Sequence, residues 1–187
     1  MVRLFALILC LLPATGWAEK WSLVPGETRV EVDVAYLGNT VTLKFPTLVG
    51  DVLFDEAAPE GAKASIAVGT RDVDTGLGLV NNFVKSEDYL DAAAHPQIDF
   101  RLDRLVRTSD QTADIFGRMT LRGVTQPVAF KAKVFRYGPT PGAADRFDAG
   151  FDLTGSVDRR QFGQTAGLPQ VAPILPVRIR LLMRSDG

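Results

Sequence analysis

The chain alternates. In residues 29–37, RVEVDVAYL, the apolar Val30, Val32, Val34 and Tyr36 fall on one face and Glu31 and Asp33 on the other. NTVTLKF (39–45) repeats the pattern with Val41, Leu43 and Phe45 against Thr40, Thr42 and Lys44, and Leu37-Gly38-Asn39 between the two runs reads as a tight hairpin. LVGDVLFD (48–55) and KASIAV (63–68) give two more runs. QIDFRLDRLV sets Ile98, Phe100 and Leu102 against Gln97, Asp99, Arg101 and Asp103. ADIFGRMTLRG (113–123) follows less cleanly, and PVAFKAKVFRY sets Val128, Phe130, Ala132 and Val134 against Lys131 and Lys133. RFDAGFDLTGSV places Phe147, Phe151 and Leu153 opposite Asp148, Asp152 and Thr154, and PVRIRLLM places Val177, Ile179 and Leu181 opposite Arg178 and Arg180.

A period of two means one wet and one dry face per strand, the habit of antiparallel sheet. Helical candidates are few and short: Leu77–Val84, Glu87–Ala93 and Asp158–Gly163. Ser86 before Glu87 and Asp88 has the form of a helix start, and Pro96 ends that segment at His95. So little helix cannot cover eight or more half-dry strands, which leaves a sandwich or a sheet closed on itself. The expectation is an all-β, extended antiparallel barrel of about eight strands with one or two short helices. A barrel of that size has room for one small ligand. The helical stretch 77–93 would cover one of its mouths.

The N-terminus stands apart. Arg3 precedes an apolar run, Leu4–Leu12, broken by Pro13 and followed by small residues at Gly16 and Ala18. That is the form of a cleaved export signal, residues 1–18, ahead of a single domain, 19–187. The run is too short to span a membrane. Cleavage leaves 169 residues, enough for a sizeable core. It also removes Cys10, the only cysteine, so no disulfide holds the mature chain. The remaining charge is nearly balanced, without the basic excess that nucleic acid or an anionic membrane would attract.

Catalytic chemistry has little to work with. His95 is the only histidine and sits at a turn. One histidine and no mature cysteine leave no zinc or copper spacing, and no cofactor is implied. Glu87, Asp88 and Asp91 read as helix-end charge, TGLGLV lacks the rest of a nucleotide fingerprint, and Arg159-Arg160 reads as a solvated pair. An enzyme acting on a lipidic substrate inside such a barrel would have to use Tyr36, Tyr89 or His95.

Five blocks, at 21–34, 49–55, 84–100, 117–130 and 158–163, taken in that order, resemble the YceI-like family of periplasmic polyisoprenoid-binding proteins. WSLVPGETRVEVDV (21–34) is similar to the family's opening, and VGDVLFD (49–55) to its segment ending in Phe-Asp. VKSEDYLDAAAHPQIDF (84–100), GRMTLRGVTQPVAF (117–130) and DRRQFG (158–163) resemble later blocks in the same order. Departures are Val80 and Asn81 where the family usually has Arg-Asp, His95 in place of Tyr, and the proline-rich GLPQVAPILPV (167–177). The resemblance implies a lipocalin-like barrel in the periplasm, holding an isoprenoid lipid, polyprenyl or quinone-like, in an apolar cavity. The expected pocket lining is Val32, Val34, Tyr36, Leu43, Phe45, Phe54, Phe83, Phe100, Leu102, Phe130, Phe151, Leu153, Ile179 and Leu181, with Asn81, Asn82 and Lys85 at its mouth. The lipid is the expected partner, with transient contact to a membrane or membrane protein during loading. A dimer is left open, as is a barrel filled by its own side chains that serves in protein interactions.

Overall fold

The computed structural model describes residues 19–186; the expected export signal, 1–18, lies outside them. Ten strands are present: β1 Glu19–Leu23, β2 Arg29–Tyr36, β3 Asn39–Phe45, β4 Leu48–Phe54, β5 Lys63–Gly69, β6 Gln97–Arg107, β7 Thr112–Leu121, β8 Val124–Thr140, β9 Ala143–Asp158 and β10 Ile174–Ser185. One α-helix, α1, spans Gly78–Lys85.

Eight strands form a closed antiparallel ring. Neighbours from β4 to β10 pair in the order β4-β5-β6-β7-β8-β9-β10, and β1 joins the ends by pairing with β4 on one side and β10 on the other. Closure removes the free edges that an open sheet would expose. The β2–β3 hairpin adds to β10 through Val177–Arg180 and then projects past the ring. Its turn is Leu37-Gly38, both with positive φ (46° and 80°), as a two-residue hairpin requires.

The edge of β10 is therefore shared, β1 taking Met183–Ser185 and β2 taking Val177–Arg180. Thr28 fills the gap at Leu182. Its buried hydroxyl donates to the Leu182 carbonyl (3.0 Å) and accepts from the Leu182 N–H (3.1 Å), standing in for the missing strand.

Two helical expectations change. Ser86 closes α1 instead of starting a helix: its N–H and hydroxyl both donate to the Phe83 carbonyl. Glu87–Ala93 forms turns, with Asp91 at positive φ. Asp158–Gly163 tightens into a 3₁₀ turn, Arg159–Phe162, capped by the Asp158 carboxylate accepting from the Arg160 N–H. The β1 strand was not expected, because five residues are too few to show a period.

Two bulges set which side chains face inward. One, between Leu102 and Arg104, shifts β6 so that Leu105 and Arg107 follow Leu102 into the interior. The other, between Val134 and Arg136, turns Tyr137 inward. Two glycines on the wall, Gly117 and Gly155, lie under the rings of Phe100 and Phe130; a Cβ there would come within 2.6 Å of each ring. Aromatic rings laid over strand glycines let the wall curve.

Candidate functional site

The ring encloses a cavity of about 490 Å³. Its wall is apolar along most of its length. Leu48, Val68, Leu90, Leu121, Val157 and Leu175 line one end, and Phe45, Ile66, Phe100, Ile115, Phe130 and Leu153 the middle. Phe100 and Phe130 meet edge to face, with ring centroids 6.2 Å apart. Buried Val73 and Phe162 and half-buried Val84, on α1 itself, pack into the same core.

Charged side chains enter the lining only at the opposite end. There the loop after β4 brings Glu56 and Pro59, the β6–β7 turn brings Arg107, Ser109, Asp110 and Gln111, and β8 brings Tyr137. Arg107 donates to Asp110 across 3.1 Å. Burial, and then the neighbouring Glu56 carboxylate, push the Tyr137 hydroxyl up to about 12. The Tyr137 ring also lies against Phe147, centroids 6.0 Å apart. The cavity thus pairs an oily tube with one wet, hydrogen-bonding mouth.

Of the fourteen residues expected on the wall, eleven lie there: Val32, Leu43, Phe45, Phe54, Phe100, Leu102, Phe130, Phe151, Leu153, Ile179 and Leu181. Three do not. Val34 and Tyr36 sit where the β2–β3 hairpin has left the ring, and Tyr36 is 47% exposed. Phe83 is 58% exposed on the outer side of α1, and Leu90 enters the lining from this region in its stead. The expected mouth, Asn81, Asn82 and Lys85, is also off the lining, on α1. Asn81 is spent on structure: its carbonyl oxygen accepts from the N–H (2.8 Å) and hydroxyl (2.7 Å) of Thr75, and its amide donates to Asp74. Asn82 is exposed, and Lys85 lies beside Asp74.

The residues weighed for catalysis stand apart from the cavity. Tyr36, Tyr89 and His95 are all off its wall. His95 sits 3.9 Å from Asp91 in a turn, and its carbonyl accepts from the Thr70 hydroxyl. Arg159 is buried, contrary to the solvated pair expected. Its guanidinium donates to the carbonyls of Ala166, Val171 and Ala172 and so ties down the loop before β10; burial lowers its pKa. Arg160 pairs with Asp158 outside. Among the described residues no cluster of histidine, cysteine and carboxylate side chains could hold a metal.

The mouth was missed in the sequence for a physical reason. Arg107, Ser109, Asp110 and Gln111 look like any polar hairpin turn, and Tyr137 is put inside only by a bulge that no residue pattern announces. Strict alternation from Val134 would have sent Arg136 inward.

A closed, up-and-down antiparallel barrel around an apolar cavity is the class that fold and site define. Within it, residues 21–182 match the YceI-like domain, and the chain belongs to that family. A UPF0312 protein of Pseudomonas fluorescens is 34% identical over 145 residues, covering 74% of this chain and 72% of its own. Another from Ectopseudomonas mendocina is 35% identical over 124 residues, 66% of this chain. Protein YceI of Salmonella arizonae is 32% identical over 124 residues, again 66% of this chain. The matches span 64% and 63% of the Ectopseudomonas and Salmonella proteins.

The fold is shared with solved structures. BcnA of Burkholderia cenocepacia superposes with a TM-score of 0.75 at 19% identity, over 86% of this chain and 98% of that one. A polyisoprenoid binding domain from Saccharophagus degradans superposes with a TM-score of 0.67 at 15% identity, over 91% and 99%.

Proposed function

We propose that this protein carries an amphipathic isoprenoid lipid in the periplasm, its tail inside the barrel and its head at the polar mouth. The observation that carries this reading is the cavity: about 490 Å³ of apolar-walled space with polar side chains at one end only. Transfer of a methylene from water into such a wall contributes about 0.8 kcal/mol, and ordering the flexible tail offsets part of that gain. An apolar tube reads length and width, so it tolerates tails of varied chemistry. The family match and the polyisoprenoid-binding neighbour support the same ligand class. The form of residues 1–18 supports export, and no helix among the described residues is long and apolar enough to cross a membrane. Loading then takes brief contact with a membrane or a membrane-bound donor.

On this reading the protein is a binder, and Tyr36, Tyr89 and His95, the residues weighed for catalysis, lie off the wall. The open space also weighs against a barrel filled by its own side chains. Native mass spectrometry of protein purified from periplasm, followed by organic extraction, tests the reading. A discrete bound mass that extracts as a prenyl lipid is expected. A ligand-free mass, together with no uptake of added prenyl alcohols, would overturn it.

A further inference from the structure

The mouth carries information about the head of the cargo. Its lining holds three charged side chains, Glu56, Arg107 and Asp110. Arg107 and Asp110 neutralise each other at 3.1 Å, which leaves the Glu56 carboxylate uncompensated beside the Tyr137 hydroxyl. Asp55 and Glu19 lie within Coulombic reach of the same hydroxyl. Cleavage after Ala18 would give Glu19 its own α-amino group, so the net negative charge rests on Glu56 and Asp55.

Cations are plentiful at this end, but strand alternation turns them outward. Ala62 and Ala64 line the cavity, so Lys63 between them faces out. Lys133 faces out between Ala132 and Val134. Lys20 is on the outer face, paired with Asp51, and Arg136 and Arg184 both bind Asp148. None of these is on the lining. Among the described residues the one cation on this lining, Arg107, is already paired with Asp110, so a diphosphate seated at the mouth would meet carboxylates with no unpaired cation to receive it. Phosphate recognition is usually built from arginines, lysines or backbone N–H groups aimed inward.

Resting on the carrier reading above, we propose that the mouth selects isoprenoids with a neutral, hydrogen-bonding head, such as a hydroxyl or quinone carbonyl, and disfavours phosphorylated ones. Tyr137, Ser109 and Gln111 offer both donors and acceptors to such a head. Glu56 is the residue that sets the selectivity.

Trp21 supplies the readout. It is the only tryptophan left after residue 18, and it stacks edge to face, at 5.9 Å, on Phe54 of the cavity wall. Farnesol and farnesyl diphosphate are titrated into residues 19–187 of the wild type, Glu56→Gln and Glu56→Lys at low ionic strength. Glu56 is exposed, so these variants fold. The wild type is expected to favour farnesol. The preference should shrink by about tenfold in Glu56→Lys, less in Glu56→Gln, and shrink in wild type as salt is added. The diphosphate is the more soluble ligand, so the change in ratio between variants is the decisive quantity. An unchanged ratio, or equal wild-type affinities, would overturn the selectivity while leaving the carrier intact. Failure of both ligands to bind would overturn the carrier reading, and the selectivity with it.

Discussion

Phe130 sits at mid-height on the cavity wall, 6% exposed, against Phe100 and over Gly155. Replacing it with aspartate puts a carboxylate where the adjoining wall offers only Phe100, Ile115, Ala132 and Leu153. No partner exists there for the charge, so the group stays protonated to higher pH. Burial of this kind raises a carboxyl by about 3 units or more. An upward shift costs nothing below the unfolded pKa, near 4, and grows as pH rises toward the folded one. Each unit is worth about 1.4 kcal/mol, so the penalty is about 1.5 kcal/mol at pH 5 and about 4 at pH 7. Phe130→Asn loses the same ring without titrating and isolates the charge. The assay is urea unfolding of both variants from pH 5 to 8, with farnesol binding read by Trp21 fluorescence. Phe130→Asp should fall behind Phe130→Asn steadily as pH rises, and its binding should recover at pH 5. Matching midpoints and affinities for the two variants across that range would refute an apolar, water-poor cavity.

Further outcomes follow from the frame. Asp148, 3% exposed, accepts from Arg136 (3.1 Å), Arg184 (2.8 Å) and Thr140 (2.8 Å); Asp148→Ala should cost about 2–3 kcal/mol, near the low end for a broken buried pair because both arginines reach water. The Arg184 hydrogen bond above all holds its carboxyl below the usual 3.8, so the wild type keeps this contribution above that pH and loses it as pH falls further; Asp148→Asn should show no such loss in acid urea titrations. Thr28→Val leaves the Leu182 N–H without its acceptor and should lower stability by about 1–3 kcal/mol by chemical denaturation, while farnesol affinity stays. Gly155→Val sets a side chain into the Phe130 ring and the Ala129 carbonyl, so it should destabilise by about 1–3 kcal/mol and weaken farnesol binding together, by urea midpoint and titration.

How much of this could be read beforehand depended on whether a face was wet or dry along a whole strand. Where Val30–Val32, Leu43–Phe45, Phe151–Leu153 and Ile179–Leu181 alternate against charges, burial is the only arrangement that satisfies both sets, and these residues do line the cavity. The same logic cannot see where a strand leaves the ring. Val34 and Tyr36 continue the period of Val32 but lie beyond the last pairing with β10. It also cannot see a bulge, because the extra residue in β6 or β8 changes the phase without changing the composition. Arg107–Gln111 follow the bulge in β6 and Tyr137 follows the bulge in β8, which is why these mouth residues were legible only in three dimensions. Phe83 misled for a related reason: an apolar residue on a short helix says nothing of which side that helix shows the barrel.

The central claim is that a prenyl tail occupies the interior of this barrel. Isoleucine methyls test it most directly. Ile66, Ile98, Ile115 and Ile179 line the cavity at different heights, whereas Ile174 is 46% exposed at the surface. With isoleucine δ1-methyl labelling, farnesol or geranylgeraniol should give NOEs to the four interior methyls and none to Ile174. NOEs confined to Ile174, or shifts spread over the outer face with the interior four unmoved, would contradict the account.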